Sequence, residues 1–300
     1  MVMANLKFSE TLLENLRQSL CIPWCGAGLS KACDLPLWGE LVQKLMHYSF
    51  ASNFISTEEY DELRHLQARG KYDDIVDFCR LSLGEIEYSI FLERLFGGDI
   101  KPSRIHECLA QFPVPAMFTT NYDRVLENIL IKNKGVFPVL TAQDASGLWR
   151  QASKKEFFLL KIHGDISKPG TVILSSSDYT KHVFGNHSFM TFLTNTLLTK
   201  SILFIGTSLN DVYVKRMLEE TMFITGGLSV PHFAILANVG TIEKRMLRER
   251  FNIHVIAYTT TSESDHVPAI CHILQTMLHA AAADGGQEPH RSPVSDEEHA

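Results

Sequence analysis

The chain has 300 residues, 45% of them hydrophobic and 21% charged, enough for one large domain or two small ones. Its 28 basic and 34 acidic residues leave a formal net charge of −6, which argues against a general nucleic-acid binder while leaving room for a local basic groove. No apolar run is long enough to cross a bilayer, and Met1 to Lys7 lack the basic-then-apolar layout of a signal peptide, so a cytoplasmic protein with no membrane partner is expected.

Residues Phe8 to Leu20 place Leu12, Leu13, Leu16 and Leu20 at helical spacing, with Ser9 or Thr11 as the cap. The short apolar run from Leu20 to Trp24 reads as a strand. Behind it stand Gly26, Ala27, Gly28, Leu29 and Ser30, and then a helix-compatible segment. Strand, glycine turn and helix in that order are what a nucleotide-binding α/β unit requires. The glycines allow a tight turn whose N–H groups approach a phosphate, and Ser30 adds a hydroxyl. The bland alternative is a turn and nothing more.

Asp34 to Leu37 reads as a loop, and Trp38 opens a helix to about His47. No strand is legible from there to Phe112. Ser56-Thr57-Glu58-Glu59 has the form of a capping box. Further helical patterns cover Asp73 to Leu83, Glu85 to Leu95 and Ser103 to Gln111, punctuated by Gly70, Gly84, Gly97-Gly98 and Pro102. Residues 38–112 are therefore expected to form a helical insertion subdomain.

Pro115 to Asn121 reads as the second strand and Asp123 to Lys132 as a helix. Val136 to Trp149 reads as irregular. Glu156 to His163 is a third strand, with Gly170 to Leu174 a short companion after the Lys168-Pro169-Gly170 turn. An apolar helix from Asn186 to Thr199 precedes the continuous apolar strand Ile202 to Ile205, of the kind buried on both faces of a parallel sheet. A helix from Asp211 to Ile224, a strand from His232 to Ala237, a helix from Thr241 to Arg250 and a strand from Ile253 to Tyr258 follow. A helix from His266 to Ala282 closes the series. The alternation predicts an α/β fold with a doubly wound, mostly parallel Rossmann-like sheet, built from residues 1–37 and 113–283. Residues 284–300 are polar and rich in Gly and Pro, and are expected to be disordered.

The six cysteines form no CxxC pair, and none lies between Cys108 and Cys271. Buried free thiols in a reducing compartment are the plain reading. A metal site from Cys21, Cys25 and Cys33 is the alternative, but that spacing suits no common zinc module, so no metal is expected.

Ligands of doubly wound sheets bind at the carboxyl ends of the strands. Five clusters fall there: Gly26 to Ser30, Thr119 to Asp123, His163-Gly164-Asp165, Gly206 to Asp211, and Asn238. Each has a structural alternative. Asn121 or Asp123 can cap a helix, and His163 can bond to backbone. Gly206-Thr207-Ser208 can be only a turn into a helix capped by Asn210 or Asp211. Asn238 can serve a left-handed turn before Gly240. Convergence on one edge is what favours a shared ligand site.

Together these residues resemble the sirtuin-like (SIR2) family. Gly26-Ala27-Gly28-Leu29-Ser30 is similar to its phosphate loop, Thr120-Asn121-Tyr122-Asp123 to its Asn-x-Asp motif and His163-Gly164 to its catalytic pair. Gly206-Thr207-Ser208 resembles its Gly-Thr-Ser turn, and Asn238 its adenosine-ribose contact. Two departures matter. Residues 165–205 contain no cysteine, so the four-cysteine zinc module of the protein deacylases is missing. Asp34 to Gly39 also lacks the Arg of the corresponding deacylase loop. Ser177-Asp178-Tyr179 and the helical insertion resemble the bacterial antiphage-defence branch.

The resemblance implies NAD⁺ as substrate, with release of nicotinamide and ADP-ribose, no zinc, and Asn121 and His163 as catalytic residues. Asp123 would accept from the nicotinamide carboxamide, and the glycine loops would bind the pyrophosphate. It also implies a homo-oligomer, with a separately encoded ATPase or another activating partner. The competing expectations are an NAD-dependent protein deacylase and a catalytically silent module that binds NAD or ADP-ribose within an assembly.

Overall fold

The computed structural model describes residues 6–154 and 156–283; the expected disordered tail lies outside the described residues. In chain order the elements are α1 (Glu10–Arg17), β1 (Cys21–Cys25), α2 (Ala27–Lys31), α3 (Trp38–Ala51), α4 (Thr57–Ala68), α5 (Tyr72–Phe96) and α6 (Arg104–Ala110). Then come β2 (Ala116–Thr119), α7 (Val125–Lys134), β3 (Val139–Thr141), α8 (Ala145–Lys154), β4 (Phe158–Lys161), α9 (Ser176–Tyr179) and α10 (His187–Thr199). The chain continues through β5 (Ser201–Ile205), α11 (Val212–Ile224), β6 (His232–Ala237), α12 (Thr241–Phe251), β7 (Ile253–Tyr258) and α13 (His266–Ala283).

The described strands form one sheet in the order β3-β4-β2-β1-β5-β6-β7, and every pairing is parallel. Omitting β3 at the outer edge, this is the doubly wound order in which the chain runs outward from β1 on one side and returns to β5 on the other. The topological switch point therefore lies between β1 and β5, and ligands of such sheets bind there at the strands' carboxyl ends.

Strand periodicity sets the two faces of the core. Ile22 and Trp24 point to one face, with Phe118, Leu160 and Phe204, under α8, α10, α11 and α12. Cys21 and Cys25 point to the other, with Met117, Leu159 and Leu203, under α1, α6, α7 and α13. Trp24 sits at the centre of the first face, its ring 5.8 Å from that of Phe118 and 5.6 Å from that of Phe204. All six cysteines are free, five of them buried. Burial pushes the Cys21 and Cys25 thiols up to about 12, so they stay protonated and unreactive.

A third apolar cluster belongs to α3, α4 and α5. It extends to the sheet's connections through Val125 at the start of α7 and Ile166, Val172 and Leu174 after β4. The helices between β1 and β2 therefore pack directly against the segments around the β2 and β4 ends. Ser9 caps α1, accepting from the Leu12 amide. The Ser56–Glu59 capping box opens α4, each side chain bonding the other's backbone N–H. α5 is broken at Gly84 (φ 71°, ψ 165°), which gives the two helical halves that the sequence pattern predicts on either side of that glycine.

Two segments depart from expectation. Val136 to Trp149 is not irregular: it holds β3, a 3₁₀ turn over Ala142–Asp144 and the first half of α8. Three residues on the sheet edge carry too little periodicity to announce a strand. Gly170 to Leu174 is not a companion strand. Pro169–Thr171 forms a 3₁₀ turn, and beyond it Ile173 donates a single bond to the His163 carbonyl while the Leu174 amide turns to the Asp178 carboxylate.

Candidate functional site

The loops after β1 and β5 meet at the switch point through three glycines. The Gly26 amide donates to Ile205 O at 2.9 Å and the Gly28 amide to Gly206 O at 2.7 Å. A Cβ on Gly26 would stand 2.7 Å from Gly206 O, and one on Gly28 2.8 Å from the same atom. Gly206 itself has φ 66°, and its Cβ would lie 2.1 Å from Leu29 Cδ1. These glycines thus first serve the close approach of two backbones. The Gly26 and Gly28 N–H groups, expected to face a phosphate, are bonded to carbonyls at the end of β5. Ala27 is partly exposed beside them, α2 is one short turn, and Ser208 is exposed in the β5 loop. Thr207 Oγ1 accepts from the Leu209 amide and stabilises that residue's left-handed turn (φ 53°).

The β2 end is a buried polar chain. Asn121 Nδ2 donates to Gly26 O at 3.1 Å and to Ser30 Oγ at 2.8 Å. Ser30 Oγ donates in turn to Asp123 Oδ2 at 2.6 Å, while Asp123 Oδ1 accepts from the Val125 amide at the start of α7. A carbonyl only accepts, so Gly26 O fixes which end of the Asn121 amide faces β1. Its Oδ1 is left without a partner among the described residues.

Lys161, in the last position of β4, is 1% exposed. Its Nζ donates to Tyr122 O at 3.0 Å and Asp123 O at 2.8 Å, and pairs with Asp165 Oδ1 at 3.1 Å. Three donors meet three acceptors, so the β2 and β4 loops are tied by a satisfied buried charge. Burial raises the Asp165 carboxyl, but Lys161 and the Ser167 amide outweigh it and hold it below the ordinary range.

His163 begins the β4 loop, partly buried beside the Tyr122 ring at 6.5 Å. Gly164 follows with φ 86°, where a Cβ would lie 2.1 Å from Thr171 O, so only glycine fits. His163 Nε2 bonds the Tyr179 hydroxyl and lies 3.5 Å from Asp211 Oδ2. The Tyr179 hydroxyl donates to Asp211 Oδ2 at 2.8 Å. Burial pushes the Asp211 carboxyl up, but the nearby His163 ring and hydrogen bonds from Tyr179 and the Val214 amide bring it down to about 2.

Gly26, Ala27, Gly28, Ser30, Asn121, Asp123, Gly206 and Thr207 thus share one bonded neighbourhood. His163 joins it through Tyr122 and Lys161. Asn238 lies at the same sheet edge after β6, exposed and left-handed (φ 54°), with its side chain closing a reciprocal pair with the Thr260 backbone. Lys161 is not singled out in the sequence; Tyr179 stands there only within the Ser177-Asp178-Tyr179 motif, and Asp211 only as the end of the Gly206–Asp211 cluster or as a cap, neither as a partner of His163. The one signal for Lys161 is a lone cation inside a strand otherwise buried on both faces. No group of three or more His, Cys, Asp or Glu able to hold a metal occurs among the described residues, nor is any described helix long and apolar enough to cross a membrane.

Sheet order and strand direction together define an α/β protein of the doubly wound, parallel-sheet architecture. Residues 115–256 match the model of the SIR2-like domain. It is similar to the NAD(+) hydrolase ThsA of Enterococcus faecium, 28% identical over 160 residues, 52% of this chain and 31% of that one. The NAD(+) hydrolase ThsA of Cytobacillus dafuensis is 25% identical over 231 residues, 77% and 44% of the two chains. The defense-associated sirtuin 2 of Bacillus subtilis is 26% identical over 218 residues, 70% and 20%. The chain spans less than half the length of these curated relatives. Among solved structures, a Sir2 homolog–NAD complex aligns over 93% of this chain and 98% of that one, at 10% identity and TM-score 0.45.

Proposed function

We propose that this chain hydrolyses NAD⁺ at the nicotinamide–ribose bond, giving nicotinamide and ADP-ribose, as the NAD⁺-depleting effector of an antiphage defence. The observation that carries the reading is that Asn121 and His163 follow the carboxyl ends of the neighbouring strands β2 and β4. One amide is locked by two bonds with its Oδ1 left for a ligand, and one imidazole stands at the mouth of the next strand. Relatives named as NAD(+) hydrolases support the substrate.

The chemistry suits so spare a site. Nicotinamide is attached as a pyridinium, so the bonding pair leaves with its nitrogen and the product is neutral without a general acid. Water then forms the new bond to C1′ of the ribose, and its proton passes to His163. Asn121 Oδ1 positions a ribose hydroxyl or that water, so the oxocarbenium-like transition state is met by fixed dipoles. Asp123 acts through Ser30 by holding the Asn121 amide. The β1 and β5 loops, with Ala27, Ser30, Thr207 and Ser208, border the pyrophosphate, and Asn238 the adenosine ribose. Residues 38–112 form a helical subdomain that controls the site, within a homo-oligomer answering to a separate activating protein.

The test is to incubate purified protein with NAD⁺, with and without an acetylated peptide, and follow nicotinamide, ADP-ribose and peptide. Nicotinamide and ADP-ribose in equal amounts, independent of peptide, are expected. Release that requires the peptide indicates a deacylase, and binding without release a silent module. Elemental analysis is expected to find no stoichiometric zinc in the active preparation.

A further inference from the structure

The imidazole of His163 meets two groups from distant parts of the chain, and their chemistry decides where its protons are. Asp211 Oδ1 is used by the Tyr213 and Val214 amides at 2.8 and 3.1 Å, which anchors the carboxylate at the start of α11. Asp211 Oδ2 faces the Tyr179 hydroxyl. An ionised carboxylate only accepts, so the phenol proton belongs to that bond. The Tyr179 oxygen can then only accept from the imidazole, and Nε2 must carry the hydrogen. Nδ1 keeps the free lone pair, and it has no hydrogen bond among the described residues.

We propose that Tyr179 and Asp211 are positioning residues that hold His163 as its Nε2–H tautomer and so make Nδ1 the atom that takes the proton. The proposal rests on reading His163 as the base for NAD⁺ hydrolysis. The surroundings are built for a fixed orientation. The Tyr179 ring stacks on Tyr213 at 3.8 Å and an interplanar angle of 25°. It meets the His163 ring edge-on, at 5.1 Å and 81°, while Tyr122 lies on another side. Once Nδ1 takes a proton from the attacking water, the imidazolium charge faces Asp211 at 3.5 Å, close enough for an ion pair in a partly buried site. The water's oxygen goes to C1′, its proton to Nδ1, and the bonding pair to nicotinamide.

Two variants isolate the arrangement. Tyr179→Phe keeps the ring stacked on Tyr213 and removes only the hydroxyl. Asp211→Asn keeps an oxygen to cap α11 and removes the charge. Nitrogen-15 NMR of the protein at alkaline pH, with the His163 signal assigned by its loss in His163→Gln, is expected to show the Nε2–H tautomer in the wild type and a tautomer mixture in Tyr179→Phe. In parallel, kcat for nicotinamide release is expected to fall at least about tenfold in both variants, with KM for NAD⁺ within about twofold of wild type. An Nδ1–H tautomer in the wild type overturns the proposal. So does a Tyr179→Phe protein that hydrolyses NAD⁺ at the wild-type rate or faster, which would make the tyrosine a plug over the base. An Nε2–H spectrum in a protein with no NAD⁺ turnover upholds the arrangement and removes the substrate reading instead.

Discussion

Ser30 shows how much of this site rests on single hydroxyls and amines. It accepts from Asn121 and donates to Asp123, both nearly buried. Ser30→Ala leaves two buried polar groups short of a partner, and a loss of about 1–3 kcal/mol in unfolding free energy is expected. Chemical denaturation measures it, and an unchanged midpoint would show that this chain of bonds adds nothing to stability. Lys161→Met is the more severe case, because Asp165 and two carbonyls lose their common donor; about 3–5 kcal/mol is expected. Asn121 and His163 are legible in the sequence because each ends a strand-like run with a polar residue next to a turn. Tyr179 and Asp211 are not legible as partners of His163. They stand 16 and then 32 residues further along the chain, and only the folded path brings them together.

At the scale of elements, glycine conformation and one ion pair decide how the loops are held. Gly164→Ala and Gly206→Ala each force a Cβ into atoms at 2.1 Å from a left-handed backbone. Both are expected to destabilise more than Gly170→Ala, where nothing lies within reach of a Cβ; parallel thermal melts test the ranking. Arg80 of α5 reaches across to Asp178 of α9 at 2.6 Å and also pairs with Glu85, while Ser177 donates to Asp77. The helices inserted between β1 and β2 thus grip the short helix that carries Tyr179. The buried parallel strands are readable in advance because both faces are apolar. β3 is not, being three residues on an edge, and the segment after Pro169 looks like a strand because its apolar residues serve two clusters, Val172 and Leu174 that of α3 to α5 and Ile173 that of the sheet.

Over the whole molecule, buried histidines set the acid limit. Burial brings His106 down to about 4, against a smaller opposing influence of Asp123, and His232 down to about 4. Their unfolded-state values lie near 6.5, so between about pH 6.5 and 4 the unfolded chain binds more protons than the native one. Stability is therefore full above that window and lost as pH falls through it, each histidine contributing a slope of up to about 1.4 kcal/mol per pH unit. A melting temperature that declines from pH 7 to pH 5 is expected, and a flat profile would contradict the burial of these rings as neutral groups. Asp211, held at about 2, adds a further loss only below its unfolded range near 4.

Asn121 and His163 are proposed to act on one ribose, and a double-mutant cycle reads that joint action most directly. Nicotinamide release per folded molecule is measured beside NAD⁺ affinity and circular dichroism for wild type, Asn121→Ala, His163→Ala and the double variant. Each single variant is expected to fold, to bind NAD⁺, and to hydrolyse it at least about a hundredfold more slowly. The double variant is expected to lose little more than the worse single one, because residues that act as a unit are not additive. Folded single variants that release nicotinamide at the wild-type rate would remove both residues from the reaction.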